Sequence, residues 1–366
     1  MIRTYKYKLY KTKKTKHIDN RINIAGLVYN HCISLHKRYY KLYGKHLNKF
    51  QLQKHLTKLK KLNKYKHWTK LGSQAIQNIT EWIDLAYKKF FKKNGGLPSF
   101  KKVKKYKSYT LKGKVGYKLN NNIISLNGYE YKFWLSRPIK GIIKTLTIKR
   151  DNIGDFYLCI SIEQEETKLN ITTGKSVGID FGLKQFLTLS DNTKFNSPLF
   201  HLKNISNLKS LNKNLSSKKK GSNNRKKAKI KLAKLHIKIA NQRRDYFHKL
   251  STELANNYDS IFIEDLNLNA MKKLWGRKVS DLAFSDFVNI LSYKTDVHKI
   301  DRFFPSSKTC SCCGTINNSI NKELKDLNNR LFKCPSCSFE LDRDINASIN
   351  IYRVGVSTLS REVVIP

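Results

Sequence analysis

Acidic residues are scarce in this chain: 26 Asp and Glu stand against 73 Lys and Arg, a formal net charge of +47. Before Glu130 only Asp19, Glu81 and Asp84 are acidic, so much of the excess lies in the first third. This excludes a merely solubilising coat, for which a net charge of about 2–8 suffices in a small domain. Such self-repulsion makes sense when a polyanion neutralises it. Long apolar runs are also missing. None approaches the ~18 residues of a membrane span, and the opening MIRTYKYKLYKTKK lacks an apolar signal core. Lipid is therefore the weaker polyanion and nucleic acid the stronger. No internal repeat, no GxxxxGK[ST] phosphate loop and no Ser/His/Asp or Cys/His hydrolase arrangement is present.

Among what is there, tyrosines and phenylalanines are interleaved with basic residues, as in YKYKLYK and HKRYYKLY. Such rings either stack on unpaired bases or pack a small core, and both uses are expected. Five of seven cysteines fall between Cys310 and Cys337, with Cys32 and Cys159 standing alone. A secreted disulfide framework would spread its cysteines, so a reducing compartment and a metal are expected.

Alternation over residues 2–10 reads as a strand, and 17–93 turns helical, with Ile76, Ile79, Ile83 and Ala86 at helical spacing. Asn94–Pro98 breaks the helix. KSYTLKG, NIISLNG, YKFWLS, IKTLTIKR and DFYLCISIE then predict an antiparallel β unit over 95–168, which the first strand is placed to join. A new unit starts near Gly174, where SVGIDFG and LKQFLTLSDN read as strand, turn, strand. Residues 203–257 read as helix interrupted by the basic SSKKKGSNNRKK, followed by the strand IFIEDLN and the helical LAFSDFVNILSYK.

Cys310-x-x-Cys313 and Cys334-x-x-Cys337 are two knuckles separated by twenty residues, the pattern of a four-thiolate zinc ribbon. Cys312 is a stray thiol beside them, since the spacing favours Cys310. A closed shell of four thiolates leaves no position for water, so this zinc is structural.

Three acidic positions attract attention in so basic a chain. Asp180 ends one strand, Glu264 ends another, and Asp342 and Asp344 precede the helical INASINIYR. Gathered together, such carboxylates hold Mg²⁺ or Mn²⁺ and serve phosphodiester hydrolysis. Singly, Asp180 also suits a turn cap, Glu264 or Asp265 a lysine pair, and Asp342 or Asp344 a helix N-cap.

At GIDFGLKQFLTLSDN, IFIEDLNLNAMKK, GRKVSDLAFSDFV, DRFFPSSKTCSCCG and LDRDINASINI the sequence resembles the TnpB family of transposon-encoded, RNA-guided DNA endonucleases, related to type V CRISPR effectors. KKKGSNNRKKAKIKLAKLHIKIANQRRDYFHKLST fits the same order, and the N-terminal half fits less sharply through its opening strand and GLPSFKKVKKYKSYT.

The resemblance implies an α+β multidomain chain. Residues 1–16 and 95–172 would form a wedge-like β-barrel holding a helical recognition domain at 17–94. An RNase H-like RuvC nuclease domain would span 173–304 and 338–355, with an inserted zinc ribbon at 305–337 and a tail at 356–366. It implies that Asp180, Glu264 and Asp344 bind catalytic Mg²⁺ (or Mn²⁺), two ions being expected, and that Asp342 is excluded. It implies a guide RNA and double-stranded target DNA bearing a short flanking motif, in a monomer once RNA is loaded. Lys6, Lys8, Lys101, Lys102, Lys218, Lys219, Lys220, Arg225, Arg243 and Arg244 are candidate nucleic-acid contacts. The expected setting is the prokaryotic cytoplasm, at the nucleoid, with no membrane partner. The connection between Lys294 and Asp301 is several residues shorter than is usual in the family. A guided repressor that does not cut, a strand-joining transposase and a plain zinc-ribbon DNA binder are the alternatives.

Overall fold

A computed structural model describes residues 2–113, 115–164, 173–267, 270, 271, 273, 276–317 and 330–363. The chain divides into two compact units, Met1–Glu166 and Thr167–Pro366.

In the first unit, strand β1 (Ile2–Lys8) is followed by α1 (Thr15–Tyr43), α2 (Lys49–Leu59), a 3-10 helix (Asn63–Leu71) and α3 (Ser73–Phe91). Strands β2 (Ser108–Lys112), β3 (Lys118–Asn120), β4 (Ile123–Leu126), β5 (Tyr129–Lys132), β6 (Ile142–Arg150) and β7 (Phe156–Glu163) come next. An antiparallel sheet runs β1-β7-β6-β2, and β3-β4-β5 forms a second. Alternation sets the core, as in β7, where Phe156, Leu158, Ile160 and Ile162 are buried and the residues between them are half exposed. On α3, Ile76, Ile79 and Ile83 enter the same core, whereas Ala86 stays at its margin.

The expected barrel is not closed by hydrogen bonds among the described residues. Antiparallel pairing of Leu9 with Phe133 links β5 to the edge of β1, and β2 remains the opposite edge. YKFWLS accordingly ends as a strand at Lys132, because Phe133 turns to pair across the sheets. Gly141, at φ +110°, lies where a Cβ would meet the Glu163 carbonyl at 2.4 Å, so only glycine fits the entry to β6.

The second unit is a five-stranded mixed sheet. It contains β8 (Ser176–Phe181), β9 (Gln185–Leu189), β10 (Lys194–Asn196), β11 (Ser260–Glu264) and β12 (Asp296–Ile300), in the order β10-β9-β8-β11-β12. β9 pairs antiparallel with β8 and β10, whereas β8, β11 and β12 run parallel. The intervening helices are α4 (Phe200–Lys203), α5 (Ile205–Ser216), α6 (Asn223–Asn257), α7 (Arg277–Leu282) and α8 (Phe284–Leu291). The shortened connection does not cost a strand: β12 occupies it and pairs with β11 over five residues.

A hairpin of β13 (Leu331–Lys333) and β14 (Glu340–Asp342) leads directly into α9 (Arg343–Val363). The hairpin crosses the expected ribbon boundary at 337/338. Helix α9 runs on through the first part of the expected tail, ending at Val363.

Both sheet faces are covered. Ile179, Ile261 and Ile263 pack among Phe247, Leu250 and Phe287 of α6 and α8, while Phe262 meets Ile351 and Tyr352 of α9 on the other face. Gly178 lets α9 lie against β8, since a Cβ there would meet Ser348 O at 2.3 Å and Tyr352 N at 2.5 Å. Among the described residues no helix is long and apolar enough to cross a membrane.

Candidate functional site

In the parallel register, Ile263 lies opposite Ile179. The next residue on each strand, Glu264 and Asp180, therefore falls side by side on the α9 face, with strands about 4.8 Å apart. Helix α9 starts at Arg343, directly after β14, so its first turn carries Asp344. Strand ends and a helix start thus bring together three carboxylates far apart in sequence. The Asp180 carboxyl is pushed up to about 8, first by burial, then by the negative charges of Glu264 and Asp344; Arg343 and the Phe181 amide oppose the rise. Glu264 is raised by burial and drawn back by the Ser306 hydroxyl, which donates to its Oε1. Asp344 Oδ2 accepts from Arg330 Nη1 at 3.1 Å, and Arg343 Nε lies 3.9 Å from Oδ1.

Asp342 behaves differently. Its Oδ1 accepts the backbone amides of Asp344 and Ile345 at 2.9 and 3.3 Å, and Lys194 Nζ meets its Oδ2 at 2.8 Å. It is the N-cap of α9. Asp265 turns outward to Lys299 and Arg302.

The second cluster is sulfur. Cys310, Cys313, Cys334 and Cys337 present Sγ atoms that all lie within 4.8 Å of one another. Cys310–Cys337 and Cys313–Cys334 are 3.7 and 3.6 Å apart. A tetrahedral ion with metal–sulfur bonds of about 2.3 Å requires edges of about 3.8 Å, so the donors fit such an ion. Hydrogen bonding by Thr315 is the chief cause that brings Cys313 down to about 6, and thiolate character there favours a metal. Cys312 is exposed and outside the group; only its backbone N–H reaches Cys310 Sγ, at 3.3 Å. Among the described residues, this is the group of His, Cys, Asp or Glu with ligand atoms so close together. The three carboxylates lie further apart than that.

The candidate nucleic-acid contacts are placed variously. Lys6 Nζ sits 3.9 Å over the Tyr157 ring, Lys8 pairs with Asp155, and Lys101 Nζ lies 4.5 Å from the centre of the Tyr29 ring. Lys102 leads into a 3-10 turn, and Lys218, Lys219 and Lys220 occupy the loop between α5 and α6. Arg225 is engaged internally, donating to the Leu215 carbonyl in the last turn of α5 and to the Lys218 carbonyl in the loop after it. Arg243 likewise donates to the Asp281 carbonyl, while Arg244 is exposed beside His248.

Ser306, Arg330, Asn346 and Asn350 were not anticipated. The Asn346/Asn350 spacing of four on a helix was the available signal; Ser306 and Arg330 meet their partners only through tertiary contact.

Fold and site define a mixed α/β protein with a basic N-terminal unit, a carboxylate-bearing sheet and a four-cysteine cluster that could hold a metal ion. The chain belongs to the TnpB family. Residues 158–274 match the OrfB_IS605 model, described as "Probable transposase", and 284–351 match the Cas12f1-like TNB domain. A Streptomyces pristinaespiralis protein named "Putative RNA-guided DNA endonuclease" is 30% identical over 97% of this chain and 90% of its own. Another, named "TnpB-like protein L79", from Acanthamoeba polyphaga mimivirus, is 32% identical over 60% of this chain and 45% of its own. The fold is similar to that of Cas12f1 solved with its guide RNA and target DNA, at TM-score 0.61 and 17% identity over 93% of this chain and 83% of that one.

Proposed function

We propose that this chain is an RNA-guided, Mg²⁺-dependent DNA endonuclease of a transposon, cutting double-stranded target next to a short flanking motif. The observation that carries this reading is the convergence of Asp180, Glu264 and Asp344, where burial first and then the charges of Glu264 and Asp344 disfavour an ionised Asp180. A cation is the natural complement. The mixed sheet with α9 across one face is then an RNase H-like RuvC domain. Mg²⁺, or Mn²⁺, held there as two ions would supply an activated water and stabilise the leaving oxygen.

The chain's own residues do the rest. Asp180 gives up its proton when its charge is compensated, Ser306 orients Glu264, and Arg330 and Arg343 limit repulsion around Asp344. The four cysteines hold structural Zn²⁺. Base pairing by a guide RNA reads the target, leaving the protein phosphates, backbone shape and the flanking motif to recognise. Exposed Lys102, Lys219, Lys220 and Arg244, with the half-buried Lys218, suit the phosphates; Arg225 and Arg243 serve folding first. The loaded particle is a monomer at the prokaryotic nucleoid.

A strand-joining transposase is the second reading, favoured by the description of the matching family model. Purification separates the two. One defined RNA species should copurify, and cleavage of a matching duplex should require both that RNA and a divalent ion. Site-specific cutting without RNA would overturn the proposal. Specific binding of transposon ends by RNA-free protein would favour the transposase.

A further inference from the structure

Between β12 and the first cysteine knuckle, the segment Pro305–Ser311 touches both clusters. Ser306 Oγ donates to Glu264 Oε1. The Ser306 carbonyl in turn accepts from Asn350 Nδ2 at 2.8 Å. Asn350 Nδ2 also reaches the Thr309 carbonyl at 2.6 Å, where Asn346 Nδ2 joins it at 2.7 Å. Asn346 Oδ1 accepts the backbone N–H of Ser311, between the first two zinc-type cysteines, at 2.9 Å. One turn further on, Arg353 donates to the Ser311 carbonyl. Asn346, Asn350 and Arg353 fall on one face of α9 at spacings of four and three.

Ser306, Ser311, Asn346 and Asn350 are all buried. Buried amides that find every partner in one segment are costly to rearrange, because each broken bond leaves an unpaired polar group. A helix carrying one carboxylate therefore grips the segment that steadies another, and the same segment opens the cysteine ribbon.

We infer that Ser306 is a positioning residue for the Glu264 carboxylate, and that Asn346 and Asn350 transmit its placement from the four-cysteine ribbon. The inference rests on the carboxylate site proposed above. A hydroxyl donated to Oε1 fixes the carboxylate's rotation and leaves Oε2 for a cation, as partners beyond the ligands do in metal sites generally. Ser306→Ala removes the hydroxyl and keeps the backbone carbonyl that Asn350 needs, so the helix–ribbon tie survives the substitution.

The test uses the full-length, zinc-loaded chain and Mn²⁺ as probe, with binding followed by electron paramagnetic resonance. Ser306→Ala should weaken Mn²⁺ binding by about tenfold or more, within the range for residues that orient ligands. Ser306→Thr, which retains a hydroxyl, should restore it, and zinc should stay at one per chain in both. Mn²⁺ affinity unchanged in Ser306→Ala would overturn the role. So would a threonine variant as weak as alanine, or loss of zinc from the alanine variant. Asp180→Asn is the parallel control. If it leaves wild-type Mn²⁺ binding intact, the carboxylate site itself is wrong and the relay falls with it.

Discussion

At the residue scale, Asp342 caps a helix, whereas Asp344 is the carboxylate proposed to hold the cation. Asparagine is as good an N-cap as aspartate, so Asp342→Asn loses mainly the Lys194 pair, worth up to about 1 kcal/mol for a partly exposed contact. It should keep cleavage. Asp344→Asn, like Asp180→Ala, should lose roughly 10³-fold or more in rate while retaining guide binding. Single-turnover cleavage with a guide-binding assay measures both. The opposite ranking of Asp342 and Asp344 would reverse the assignment.

Asp180 also predicts a pH dependence. Its folded value of about 8 lies above the ordinary 3.8, so between those values the folded chain binds a proton that the unfolded chain has released. Stability of the metal-free protein from this group is intact below about pH 4, falls as pH rises and levels off above about 8. Cation binding must displace that proton. At pH 7, calorimetry in buffers of different ionisation enthalpy should therefore register about one proton released per Mn²⁺-loaded site. Asp180→Asn should remove the release, and an absent release in wild type would contradict the protonated resting state.

At the element scale, α9 does three things in its first three turns. Its cap is Asp342, its first turn carries Asp344, and its asparagines grip the ribbon. Among the described residues the ribbon's core is Cys310, Phe332 and Cys334 with Phe339 packed against them, a small cluster to fold on hydrophobic burial. In the proposed reading, a zinc ion held by the four cysteines supplies the difference. Elemental analysis should find one zinc per chain, and Cys337→Ser should impair cleavage more than guide binding. Wild-type cleavage by a zinc-free variant would remove the ribbon from the mechanism.

For the whole molecule, a charge of +47 would make the proposed association with RNA an exchange of counterions. Guide affinity should fall by about 10³ or more between about 50 and 200 mM salt if many phosphates are held. Titration across that range checks it, and a flat profile would mean that the excess charge serves something else.

The paired cysteines, the helical insertion between β1 and β2 and the strand-end positions of Asp180 and Glu264 were legible in the sequence. They depend on local spacing and on periodicities of 2 and 3.6, which neighbours along the chain determine. The short strands β3 and β10 were not legible: three residues carry too little pattern to stand out. Neither was the pairing of Leu9 with Phe133 that links the two sheets of the first unit, since such pairing depends on which edges meet. The residues alone left Asp342 and Asp344 equivalent, and the family resemblance chose between them. Only the folded chain gives the physical distinction, one carboxylate turned to the helix amides and the other toward Arg330. The sequence by itself determined which residue types stand at strand ends and in knuckles. The tertiary structure decided their company, because in-register parallel pairing put Glu264 beside Asp180 and a helix lying on Gly178 brought Asp344 to meet them.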